Sequence, residues 1–146
     1  SINNSGGTGT TETYYGGRFR LAVNKQPTFD CPSEDLYTTS GSSQGNKSLQ
    51  YPIGLISADE VAYAGGILET NNQSYYLYTS STYWTISPSS FYSSNNHANV
   101  FFVNANGRLS SGCVNGIYGV RPVINLKADT LFTGTGTSTD PYVVVG

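Results

Sequence analysis

The chain has 146 residues and a formal net charge of −2, a length that suits one domain. Only 11% of its residues are charged, less than half of the ~25% usual for soluble domains, whereas Ser, Thr and Asn number 19, 16 and 13. Seven scattered Lys and Arg and a pI near 5.1 exclude the basic footprint of a nucleic-acid binder or a membrane-surface patch, and no apolar run approaches the ~18 residues of a spanning helix.

Residues 1–13 are rich in Gly, Thr, Ser and Asn and read as a flexible linker or arm. Residues 14–146 read as a single globular domain. The chain opens on Ser1 with neither Met nor a signal-peptide pattern, as a mature or excised fragment would. Phe19, Leu21 and Val23 alternate with other residues and predict a strand with one buried face. Pro27 and Pro32 bracket an irregular stretch, and residues 38–48 form a polar loop by composition. A strand is expected around Ile53 to Ile56. Ser57 and Glu60 then stand three apart, as in a capping box, and open a short helix through Val61 and Ala64 that Gly65-Gly66 stops.

Aromatic and β-branched residues predict strands over 75–79 and 82–86, with Pro88 ending the second. Residues 89–99 read as a polar loop, and Val100 to Val103 as a strand. Asn104 to Gly107 reads as a turn into a return strand at Arg108-Leu109. Residues 110–116 read as loop or bulge. The stretch 119–126 reads as an edge strand because of Pro122. A Gly/Thr turn over 133–140 leads to a last strand over 141–145.

Catalytic equipment is sparse. His97 is the sole candidate base and sits in a polar loop without a Gly-x-Ser-x-Gly elbow. Asp59-Glu60 and Glu34-Asp35 are paired carboxylates. The first pair, however, stands at a helix start, where acids complement the helix dipole, and the second stands in a loop. No EF-hand or phosphate-loop pattern occurs. One His and two distant Cys cannot supply a zinc site. No catalytic residue, metal or cofactor is expected. In an oxidising compartment Cys31 and Cys113 would pair, contributing roughly 3–5 kcal/mol in the chain-entropy model. Reduced, they would be two small buried hydrophobes.

The positive signal is aromatic. Tyr76, Tyr78, Tyr83, Trp84 and Tyr92 fall in one short stretch, and Tyr and Trp are favoured recognition residues. The same residues also suit a core, because a strand has two faces. Many hydroxyls and amides with few charges suit an extracellular, cell-surface module.

Four motifs, taken in order, carry a family resemblance. They are Tyr51-Pro-Ile-Gly-Leu-Ile-Ser-Ala-Asp-Glu60 with the following Val-Ala-Tyr-Ala-Gly-Gly66, then Ser74-Tyr-Tyr-Leu-Tyr-Thr79 with Tyr83-Trp84-Thr85-Ile86-Ser87-Pro88, then Gly119-Val-Arg-Pro-Val-Ile-Asn-Leu126, and last Gly134-Thr-Gly-Thr-Ser-Thr-Asp-Pro-Tyr-Val143. Residues 20–146 resemble an uncharacterised domain family of Gram-positive gut-bacterial surface proteins, which often carry a prepilin-like leader and helix. The order of elements also resembles the C-type-lectin-like fold, including the branch shared with formylglycine-generating enzymes and diversity-generating variable proteins. The resemblance implies an α+β, β-rich domain with one short helix and many short, mostly antiparallel strands.

Two departures limit what is carried over. The Glu-Pro-Asn, Gln-Pro-Asp and Trp-Asn-Asp motifs that hold calcium in sugar-binding lectins are missing, since Gln26-Pro27 is followed by Thr28. Cys31 and Cys113 do not match the late copper-binding cysteine pair of the formylglycine enzymes. The expectation is therefore a non-enzymatic extracellular head domain of a pilin-like or surface-anchored bacterial protein, acting in adhesion or assembly. Its partners would be protein subunits or host-surface glycans or proteins. The alternative is a lectin-like adhesin that binds glycan or protein through Tyr76, Tyr78, Tyr83, Trp84 and Tyr92.

Overall fold

The computed structural model describes residues 12–29, 53–124, 126–137 and 139–145. Its elements in chain order are β1 (Thr13–Tyr14), α1 (Gly16–Arg18), a π-helical turn (Phe19–Asn24), β2 (Ile53–Leu55), α2 (Ala58–Tyr63), β3 (Tyr83–Tyr92), β4 (His97–Val103), β5 (Leu109–Cys113), β6 (Pro122–Ile124), β7 (Phe132–Thr133) and β8 (Val143–Val144). The main sheet has the order β1-β3-β4-β5 and is antiparallel throughout. Two antiparallel pairs, β2 with β6 and β7 with β8, complete an α+β, β-rich architecture.

Helix α2 starts where its cap residues demand. Ser57 Oγ accepts from the Glu60 backbone N–H at 3.2 Å, and the Glu60 carboxylate accepts from Ser57 N–H at 2.7 Å. This reciprocal box satisfies donors that a first turn leaves open. Ser87 of β3 accepts from Ala58 N–H at 2.9 Å and docks the helix start on the sheet. Ala58 and Val61 then face a core of Leu21, Tyr75, Tyr83, Phe101, Val103 and Leu109.

Several expected elements differ. The strand expected over Phe19 to Val23 is a helical turn, in which Leu21 is buried while Phe19 and Val23 are 37% and 65% exposed. Winding the chain puts Leu21 into the core and Arg20 against Asp59 of α2, which an extended strand with one apolar face would not do. Residues 75–79 form a turn rather than a strand, closed by Tyr78 N–H donating to Tyr75 O at 3.1 Å. Pro88 does not end β3. The strand runs on to Tyr92, with register shifts on either side of Pro88 that accommodate its missing donor. Only residues 93–96 remain of the expected 89–99 loop, and β5 extends to Cys113.

The Asn104–Gly107 turn, the edge position of Pro122 and the C-terminal Gly/Thr turn form as the sequence predicts. Thr13, the last residue of the expected arm, is buried opposite Phe91. Residues 1–11, the 38–48 loop, Glu34, Asp35 and Cys31 lie outside the described residues. Cys113 is a half-buried free thiol, so the expected Cys31–Cys113 disulfide is not part of the structure.

Candidate functional site

Alternation along β3 sorts its side chains between two faces. Tyr83, Thr85, Ser87 and Ser89 are buried on the core side. Trp84 points to the opposite face, where it is the cross-strand partner of Phe102. The two rings meet edge to face at 5.9 Å, a favoured aromatic geometry. A third ring completes the cluster. Gly119 lies alongside Tyr83, with Trp84 N–H donating to Gly119 O at 3.0 Å and Gly119 N–H donating to Thr82 O at 2.9 Å. That docking lays Tyr118 against Trp84 at 4.5 Å and against Phe102 at 4.8 Å.

Beside this cluster opens a cavity of about 250 Å³, lined by Leu55, Trp84, Thr85, Val100 and Val114. Its walls come from β2, β3, β4 and the end of β5. Gly112, paired with Val100, keeps the floor low, because a Cβ there would sit 3.0 Å from the Phe102 ring. The lining carries no titratable group. The volume lies below the ~300–1,000 Å³ of drug-sized pockets, so the groove takes a single ring or a single side chain.

The structure does not bring the five expected site residues together. Trp84 alone lies in the groove. Tyr83 is a core residue at 2% exposure, its hydroxyl donating to Leu77 O at 2.9 Å. Tyr78 packs against the core. Tyr76 stands out from the 75–78 turn at 86% exposure, away from the groove lining. Tyr92 meets Tyr14 edge to face at 6.1 Å, roughly 25 Å along β3 from Trp84. Leu55, Val100, Phe102, Val114 and Tyr118 were not anticipated. The period-2 pattern of 83–86 and 100–103 held the signal for Phe102 and Val100, because it assigns Trp84, Val100 and Phe102 to one face. Leu55 and Tyr118 come from distant segments and carried no such signal.

The core face carries a second group of tyrosines. The Arg121 guanidinium lies 4.9 Å over the Tyr83 ring and donates to Leu77 O at 2.8 Å. Burial pushes the Tyr83 phenol up, with Arg121 opposing. Burial also pushes Tyr75 up, reinforced by the neighbouring Tyr83. The Tyr75 hydroxyl is buried without a hydrogen-bond partner, which costs free energy. Replacing Tyr75 with Phe is therefore expected to raise stability by about 1 kcal/mol in urea denaturation. A phenol whose folded pKa is raised stays neutral in both states below about 10, so its effect on stability is flat there. Above that pH the unfolded chain loses the proton first and stability falls. The Tyr75→Phe protein should show a shallower alkaline decline.

The Asp59-Glu60 pair is fully engaged in structure. Glu60 completes the capping box, and Asp59 accepts from Arg20 Nε and Nη2, each at 2.9 Å, and from Thr28 N–H at 3.1 Å. His97 is exposed at the start of β4. Among the described residues no three His, Cys, Asp or Glu side chains gather as metal ligands. No helix among them is long and apolar enough to cross a membrane.

The chain is thus a β-rich domain with an open aromatic groove on the outer face of its main sheet. Residues 25–128 match the model of a family described as a domain of unknown function, DUF6273. The match covers more than half of the chain, including every groove residue from Leu55 to Tyr118, and the chain belongs to that family. No curated protein and no solved structure matches it.

Proposed function

We propose that this is a non-enzymatic, extracellular binding module, the head domain of a pilin-like or surface-anchored bacterial protein that acts in adhesion or assembly. The observation that carries the reading is the groove beside Trp84. It is apolar, open and walled by a half-buried indole, the combination that recognition surfaces use. The charge-poor, hydroxyl-rich composition supports an exterior location, and the four ordered motifs support membership of a surface-protein group with a C-type-lectin-like fold.

A second reading is a lectin-like adhesin. The Trp84 and Tyr118 rings favour it, since both present an apolar face with a polar edge to a ligand about one ring in size. Both readings are tested on immobilised host-surface glycans and proteins. Binding should fall by about thirtyfold in Trp84→Ala, the loss of a central hot spot worth about 2 kcal/mol. Tyr76→Ala should bind as the parent does. Glycan hits support the adhesin, and protein hits alone support assembly or protein adhesion. Binding untouched by Trp84→Ala in a folded protein would overturn both.

A further inference from the structure

The ribbon of β7 and β8 is apolar on both of its faces. Phe132, Tyr142 and Val144 share one face, with Phe132 paired to Val144 and its ring 4.9 Å from that of Tyr142. Leu131, Val143 and Val145 share the other. All six are more than half exposed. Strands apolar on both sides belong between layers, and a lone two-stranded ribbon is marginal in water.

The outer edge of β8 is open. Val145 N–H donates to Leu131 O at 2.9 Å, which makes these two a hydrogen-bonded pair. Antiparallel alternation then turns the N–H and C=O of Val144 outward, and no described residue bonds them. Natural edges are blunted by Lys, Pro, bulges or cover. Residues 142–145 contain no charge and no Pro.

We propose that β8 pairs antiparallel with β8 of a second copy of this chain, about a two-fold axis at Val144, to give a four-stranded sheet. The Val144 N–H of each copy would donate to the Val144 C=O of the other, with Val143 opposite the second copy's Val145. Charge favours a second copy as the occupant. The edge is uncharged and self-complementary, the whole chain carries only −2, and the nearby Asp140 carboxylate is already engaged by Thr135 N–H and Oγ1 at 3.0 and 2.9 Å. The contact is small against the ~800 Å² per partner of standard interfaces, so the dimer should depend on concentration. The proposal is independent of the groove.

The test is light scattering across micromolar to millimolar protein, with reductant present so that Cys31 and Cys113 cannot crosslink copies. The mass should rise from 15.6 kDa towards twice that value. Val144→Pro removes an outward N–H and spares the β7–β8 ladder, and Val144→Lys places a charge at the edge. Each should weaken the dimer by roughly tenfold or more with the circular dichroism and Tm of the parent. A monomer at every concentration overturns the proposal. So does a dimer that neither variant weakens, which would place the interface elsewhere.

Discussion

Replacing Asp59 with Ala is expected to lower stability by about 3 kcal/mol, or roughly 10 °C in Tm. The carboxylate is 4% exposed and its Arg20 partner 20% exposed. Both carboxylate oxygens are occupied by a planar, two-bond guanidinium contact, with Thr28 N–H added. The same helix holds the 25–29 segment a second way. The Tyr63 hydroxyl donates to Pro27 O at 2.9 Å, and the Tyr63 ring stacks on Phe29 at 4.2 Å. Asp59 therefore ties the helical turn, the segment after it and α2 into one unit. Losing the acid leaves Arg20 desolvated and unpaired, the costly half of a broken buried pair. Replacing both partners, as Arg20→Met with Asp59→Leu, should recover much of the loss, because an apolar pair needs no desolvation of charge. A loss under about 1 kcal/mol in Asp59→Ala, read from urea midpoints, would contradict this account of the clamp.

The Gly107→Ala protein is expected to lose a comparable amount, about 3 kcal/mol, for a different reason. Gly107 closes the β4–β5 turn at φ +78°, in the left-handed region, with its N–H donating to Asn104 O at 2.8 Å. A Cβ would lie 1.6 Å from Asn72 O and 3.1 Å from the Tyr78 ring. Backbone cannot yield that distance, so either the turn or the 72–78 segment must move. Tyr75 and Leu77 sit in that segment and pack on the core, so the damage should spread inward. The measurement is thermal unfolding with near-ultraviolet circular dichroism. An unchanged Tm would show that the Asn72 contact is not a fixed part of the fold.

The residues that made the fold legible were those with local jobs. Ser57 and Glu60 are three apart and need only each other, so the helix start could be read directly. Asn104 to Gly107 carried its own turn chemistry. The errors arose where distant partners decided. Phe19-Arg20-Leu21 alternates like a strand, but Asp59, 39 residues away, draws Arg20 into a helical turn. Pro88 looked like a terminator, whereas bulges let β3 run through it. The aromatic cluster was read as one surface because its members are neighbours in sequence. In the fold Tyr83 and Trp84 point to opposite faces, and Tyr92 lies at the far end of the strand. Trp84 was thus legible, but its companions Leu55, Phe102 and Tyr118 depend on tertiary pairing.

Trp84 is the only tryptophan, so its emission reports on the groove without labelling. The decisive measurement is a fluorescence titration with each oligosaccharide or host-surface protein that binds the immobilised domain. The account predicts a saturable shift of Trp84 emission, with protection from acrylamide quenching, both abolished in Val100→Lys of parental fold. A ligand that binds at saturation while Trp84 emission and quenching stay unchanged would contradict the groove as the binding site.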